Sequence, residues 1–151
     1  MEAWELEARE AIRDLVARYN AFGDSGRWED LLELFMPDAE FALREGGVFV
    51  GHEEMKAFFT GAASQGGRRP SPMRVWHHTS TLVIDLEGSD EARGRCYYAV
   101  LTEAGLDHWG RYRDLYRKEG ERWRFARRSV SVDGRVPGGW AEQNLAGLQD
   151  T

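Results

Sequence analysis

Apolar residues recur at three- and four-residue spacing from Ile12 through Leu15, Val16 and Tyr19 to Phe22, while Arg9, Arg13, Asp14 and Arg18 fall on the opposite side. This spacing predicts a helix with one buried face. Gly23 ends the run, Ser25 can cap a second helix, Glu29 and Asp30 suit its first turn, and Trp28, Leu31, Leu32 and Phe35 form its stripe before Pro37 stops it. Residues 12–35 therefore read as helix, corner, helix, with Tyr19 near the end of the first buried face and Asp24 in the corner. A carboxylate at that place is either solvated or turned inward onto a partner, because unpaired burial is too costly.

Beyond Pro37 the pattern shortens. Residues 39–43 and 48–50 read as two strands around Glu45-Gly46-Gly47. A third helix follows, with Glu53 and Glu54 in its first turn and Met55, Phe58, Phe59 and Ala62 on its buried face. Residues 64–72 carry Gly66-Gly67, Arg68-Arg69 and two prolines, and read as a loop, solvated or laid over a pocket mouth. From Met73 the period changes to that of strands, over residues 73–86, 92–102, 106–118 and 123–132, joined by short turns rich in Gly, Asp, Ser and Glu. Helices first and an antiparallel meander second predict an α+β domain, a curved sheet wrapped around the early helices.

Simple alternation fails twice, and a curved sheet needs bulges. In the last strand Trp123 and Phe125 share one parity and Arg128, Val130 and Val132 the other, which places an irregularity at residues 126–129. In the strand from Met73, Leu82, Ile84 and Leu86 share a parity with His78, so strict alternation buries His78 and turns His77 outward unless a bulge intervenes.

Composition narrows the class. A chain of 151 residues, 42% hydrophobic and 12% aromatic, has the size of one domain able to enclose a pocket. The net charge of -6, with arginines interleaved among apolar residues, argues against nucleic acid. Cys96 stands alone, which excludes an internal disulfide or a cysteine-rich zinc site, and the acidic start does not read as a signal peptide. With no membrane-length apolar run, a cytoplasmic protein is expected. Adjacent strand histidines point to opposite faces, so His77 and His78 are poorly placed to share a metal ion with Asp24 and His108. There is no phosphate-cradling glycine loop, serine elbow or dinucleotide fingerprint, so neither metal nor cofactor is expected.

Several segments together carry a resemblance: Tyr19-x4-Asp24 at the end of a helix, Trp28-Glu29-Asp30-Leu31 in the next, His77-His78-Thr79-Ser80-Thr81 opening a long strand, and Trp123-Arg124-Phe125 in the last. Over residues 11–133 the chain resembles the nuclear transport factor 2-like, or SnoaL-like, cone fold. Within that group it is most similar to the cofactor-free lyases: scytalone dehydratase, bile-acid 7α-dehydratase and hexachlorocyclohexane dehydrochlorinase. The resemblance implies an Asp24–His77 pair inside the cone, with Arg128 as the inward arginine of the last strand, and it favours His77 over His78. The sequence departs from the pattern at Thr81, where many relatives have asparagine, and at Tyr19, where the dehydrochlorinase has lysine and the bile-acid enzyme tyrosine. The further aspartate of the bile-acid enzyme is unmatched at Cys96 or Tyr98, so a steroid substrate does not follow.

A histidine held by an aspartate can take a proton from carbon, after which Tyr19 and Arg128 would bind the oxygen on which charge develops. The expected activity is dehydratase-type β-elimination on a small apolar, aromatic or polycyclic hydroxylated molecule. Tyr98, His108 and Tyr112, with Phe58, Phe59 and Trp76, are the candidate substrate wall, and each also reads as ordinary core. An isomerase or polyketide-cyclase-type enzyme would begin with the same proton removal. A non-catalytic small subunit, of the kind found in ring-hydroxylating dioxygenases, would leave Asp24 and His77 apart or exposed and would bind a large partner. Residues 136–151 read as a tail or flap in which Trp140 closes the cone or packs on another subunit. Homo-oligomers, dimers or trimers, are usual among the similar enzymes.

Overall fold

The computed structural model describes residues 1–44, 46–65 and 74–145. Helix α1 (Ala3–Asp24) starts at a capping box in which the Glu2 amide donates to Glu5 Oε2 at 2.6 Å. It buries Ala8, Ile12, Leu15, Val16 and Tyr19, the face expected from the spacing. The second helix is shorter than the pattern suggests. Helix α2 (Trp28–Leu32) spans five residues capped by Arg27, and Ser25 instead closes α1, its hydroxyl donating to the Ala21 carbonyl at 2.7 Å. Phe35 and Pro37 belong to strand β1 (Phe35–Leu43), where the ladder to its neighbour is interrupted between Phe35 and Glu40, and a proline without an N–H is tolerated in such a gap.

Strand β2 (Gly47–Val50) pairs with β1, and helix α3 (Gly51–Gln65) follows. The helix therefore continues to the start of the expected loop; residues 66–72 of that loop, Glu45 of the expected turn and Met73 lie outside the described residues. Strands β3 (Trp76–Leu86), β4 (Glu91–Thr102), β5 (Gly105–Glu119) and β6 (Arg122–Arg135) form the antiparallel meander, and a short helix α4 (Trp140–Leu145) ends the described chain. The six strands make one open, curved sheet in the order β2-β1-β6-β5-β4-β3, with β1 and β6 the parallel pair. Helix α1 lies against β3 and β6, and α3 against β1 and β2, so the face towards the helices holds the core.

Both parity conflicts are resolved by bulges. Between Ser80 and Val83 of β3 there are three steps, against two between Tyr97 and Arg95 of β4; the extra residue resets which side chains face inward. His77 and Ile84 can therefore share the inner face, and His78 is exposed on the other. In β6 the partners pass from Arg127 to Phe125 while β5 advances one residue, so Ala126 is skipped and Phe125 and Arg128 are both buried.

The β3 bulge carries a strained residue: Thr81 has φ +57°, a left-handed conformation that a β-branched side chain disfavours by about 1–2 kcal/mol. Asparagine and glycine tolerate it better. Thr81→Asn and Thr81→Gly are expected to raise the free energy of unfolding by up to about 1 kcal/mol, measured by urea denaturation. A loss in both variants would contradict a left-handed backbone at this residue.

Candidate active site

Asp24 is the last residue of α1, and its carboxylate leaves the helix end to meet His77, the second residue of β3. Its Oδ2 accepts the His77 backbone N–H at 2.9 Å, and its Oδ1 lies 2.6 Å from His77 Nδ1. A carboxylate beside the negative end of a helix needs such donors, and α1 has no basic residue in its last turn to supply one. Because the carboxylate already accepts the amide N–H, Nδ1 is the donor and the neutral ring presents Nε2 as a bare lone pair. The pair is neither sealed nor open: the Asp24 side chain is 18% and that of His77 29% exposed.

Arg128 is fully buried behind Tyr19. Asp114, on β5, grips it through two parallel bonds, Nε to Oδ1 at 2.8 Å and Nη2 to Oδ2 at 2.9 Å, and Tyr116 donates its hydroxyl to the same Oδ2 at 2.8 Å. The guanidinium carbon stands 4.2 Å from the ring centre of Tyr19, 4.0 Å from that of Tyr112 and 4.4 Å from that of Phe125, an aromatic box that suits a planar cation. Its third nitrogen, Nη1, has no hydrogen-bond partner among the described residues. The box depends on Gly94: a Cβ there would fall 2.4 Å from the Tyr116 hydroxyl.

The expected wall divides. Tyr98 stacks on Tyr112 at 4.6 Å and has His77 and His108 on its two sides, with ring centres 6.4 and 6.0 Å away. These four rings, with Tyr19 edge-on to Tyr112, form one continuous surface. Phe58 and Phe59 do not join it. They pack with Phe41, Phe49 and Trp28 between α3, α2 and the β1–β2 hairpin. Trp76 is a correction: it precedes His77 directly, so it stands on the outer face and is 44% exposed. That outer face also holds an open groove of about 370 Å³ between His78, Ser80, Tyr97 and Trp109.

A family model for the SnoaL-like domain matches residues 4–129. The chain belongs to the SnoaL-like family. Among solved structures, this SnoaL-like domain is similar to a protein provisionally named a scytalone dehydratase from Novosphingobium aromaticivorans, at 23% identity and TM-score 0.74 over 92% of this chain and 95% of that one. It is also similar to the hexachlorocyclohexane dehydrochlorinase LinA-type3 from Novosphingobium barchaimii, at 18% identity and TM-score 0.74 over 89% and 94% of the two chains. A third is a protein of unknown function from Mycobacterium tuberculosis, at 24% identity and TM-score 0.76 over 95% and 85%. At these identities the likeness is one of fold. No curated protein matches the chain.

The expected set is thus in two contacts: Asp24 with His77 at the rim, and Tyr19 with Arg128 beneath. Asp114, missed from the sequence, sits on the inner parity of β5 between Tyr112 and Tyr116, an aspartate among core tyrosines that only a buried cation could justify. Burial opposes the charge on Arg128, but Asp114 outweighs it and holds the guanidinium charged. Burial pushes the Tyr19 phenol up to about 12, with Arg128 pulling the other way; Tyr98, Tyr112 and Tyr116 are also pushed up, burial again being the main cause.

Removing one partner of the buried pair strands the other charge. Asp114→Ala is expected to cost about 3–5 kcal/mol in chemical denaturation. Asp85→Ala, at the exposed Arg95 pair, should cost under about 1 kcal/mol. The raised phenols give a pH dependence with a definite sign. Below about pH 10 tyrosines are protonated in both states. Above it the unfolded chain ionises first, so stability falls as pH rises to about 12, where folded Tyr19 titrates. Tyr19→Phe should make that fall shallower, read from unfolding free energies between pH 9 and 12.

Proposed function

We propose that this SnoaL-like protein is a cofactor-independent, cytoplasmic lyase that eliminates water from a small, largely apolar hydroxylated molecule. The observation that carries the reading is the double grip of Asp24 on His77, through the backbone N–H at 2.9 Å and Nδ1 at 2.6 Å. It fixes the ring, selects the tautomer with a free Nε2, and sets a negative charge beside the imidazolium formed when Nε2 takes a proton from carbon. The α1 C-terminus adds to that stabilisation.

Tyr19 supplies the oxygen-binding group. Its hydroxyl faces Arg128, which favours ionisation, but burial outweighs that and keeps the phenol protonated, a donor, at neutral pH. As negative charge develops on a carbonyl oxygen or departing hydroxide, Tyr19 donates to it, and Arg128, 4.2 Å from the ring, polarises the phenol from below. Arg128 thus acts through Tyr19, because Asp114 and the aromatic box enclose it. The dehydratase and dehydrochlorinase named among the structural neighbours support elimination as the reaction class. For the homo-oligomer, the outer face supplies an apolar surface in Trp76, Tyr97, Leu101 and Trp109.

The test is turnover of β-hydroxy ketones in deuterated water. Loss of water from the substrate is expected, and His77→Gln or Asp24→Asn should lower kcat about 10²- to 10⁴-fold with little change in KM. Deuterium entering the carbon skeleton without loss of water would point to an isomerase instead. Full activity in His77→Gln would end the proposal.

A further inference from the structure

His108 repeats, on the same face, the arrangement seen at His77. Its Nδ1 lies 2.8 Å from Oδ2 of Asp107, its own sequence neighbour. Successive side chains of a regular strand point to opposite faces, so this contact needs a break in the strand. The ladder provides it: β4 advances from Val100 to Leu101 while β5 steps from His108 to Leu106, leaving Asp107 as the extra residue of a bulge with both side chains buried.

The Asp107 carboxylate is committed as an acceptor. It takes the Trp140 N–H on Oδ1 at 2.6 Å and the Ala141 N–H on Oδ2 at 3.0 Å, so Nδ1 of His108 must be the donor. The other ring nitrogen, Nε2, therefore carries a lone pair, and it has no hydrogen-bond partner among the described residues. Burial, opposed by Asp107, lowers the pKa of His108 and keeps the ring neutral at pH 7. Among the described residues the buried side-chain atoms left without a partner are Arg9 Nε, Arg124 Nε and Arg128 Nη1, so the lone pair of His108 Nε2 is one that a ligand can reach rather than one sealed in the core.

The location ties this acceptor to His77. His77 pairs with Val100 across β3 and β4, and Val100 pairs with His108 across β4 and β5, so the two histidines stand in one row with their backbones roughly 10 Å apart. Tyr98 touches both rings. The far side is closed by Trp140, stacked on His108 at 6.0 Å, and the chain reaches this position because residue 139 is glycine: a Cβ there would lie 2.6 Å from Asp107 Oδ1.

We propose that His108, held by Asp107, is the second recognition point of this site and accepts a hydrogen bond from a hydroxyl of the ligand, at the end away from His77. The inference rests on the proposed lyase reading for placing the carbon acid at His77, and it narrows the substrate class. The ligand carries a free phenolic or alcoholic O–H on its far end, in addition to the group eliminated. A methyl ether, halide or ketone there leaves Nε2 unpaired.

Binding without turnover tests this. Phenol with anisole, and 2-naphthol with 2-methoxynaphthalene, are titrated into the full chain by calorimetry. In each pair that binds, the hydroxylated member is expected to bind about 10- to 100-fold more tightly. His108→Phe, which keeps a ring against Trp140 and Tyr98, should erase that preference without weakening the ethers, and His108→Gln, which restores an acceptor, should recover part of it. In the wild type the ¹⁵N resonance of His108 Nε2 should shift with 2-naphthol and stay in place with its ether. Equal affinity within both pairs, a preference surviving in His108→Phe, or no binding by any of the four would overturn the proposal. His77→Gln separates the two readings: it should leave the hydroxyl preference intact, whereas failure of the lyase reading appears as absent turnover.

Discussion

A strand alternates strictly, and this sheet obtains its site by breaking that rule by one residue. Ile84, deep in the core, and His77, seven residues earlier, differ in parity, so they face the same side only because β3 holds one more residue than β4 between Ser80 and Val83. Without that insertion the imidazole at 77 would face solvent and the end of α1 would meet the ring of Trp76 or of His78. The cost is a left-handed Thr81, and the gain is that a helix end and a strand end converge on one hydrogen-bonded pair.

Beneath that pair, a buried charge organises the core. Arg128 and Asp114 satisfy each other with two parallel bonds, Tyr116 takes up a further lone pair, and three rings cover the guanidinium. A hydrophobic replacement could fill the same space with equal stability. What such a replacement would lose is the fixed positive charge under the Tyr19 ring. A phenol raised to about 12 by burial is a reluctant acid, and a permanent cation 4.2 Å away is the one influence on it that works steadily in the opposite direction at all working pH values.

Much of this was legible because period and chemistry agreed. The face of α1, the four meander strands and the hairpin turns follow from spacing, and the bulges at Thr81 in β3 and Ala126 in β6 announced themselves as failed alternation. The second helix was overread because Leu31, Leu32 and Phe35 fit a helical stripe as well as they fit a helix end followed by a strand; five residues are too few to separate the two periods. Trp76 was misassigned for the opposite reason: composition made it a wall residue, while adjacency to His77 already placed it on the other face. Asp114 was visible in principle, at the parity of Tyr112 and Tyr116 and opposite an inward arginine. Asp107 was not, since nothing in Asp107-His108 betrays that two neighbours share a side.

The family match ends at residue 129, yet the chain's contribution to the site does not. Helix α4 has six residues, too few to be stable alone, so its position is set by the Asp107 carboxylate at its first two amides and by Trp140 on His108. The segment read from sequence as a free tail or flap is thus, through residue 145, part of the wall, while residues 146–151 lie outside the described chain. The part that matches the family model contains the Asp24–His77 pair, and residues beyond it pack on His108. On the proposed reading, such a fold can hold its proton-abstracting pair on the helix end and the first long strand and vary its specificity where a short, side-chain-anchored segment closes the far side.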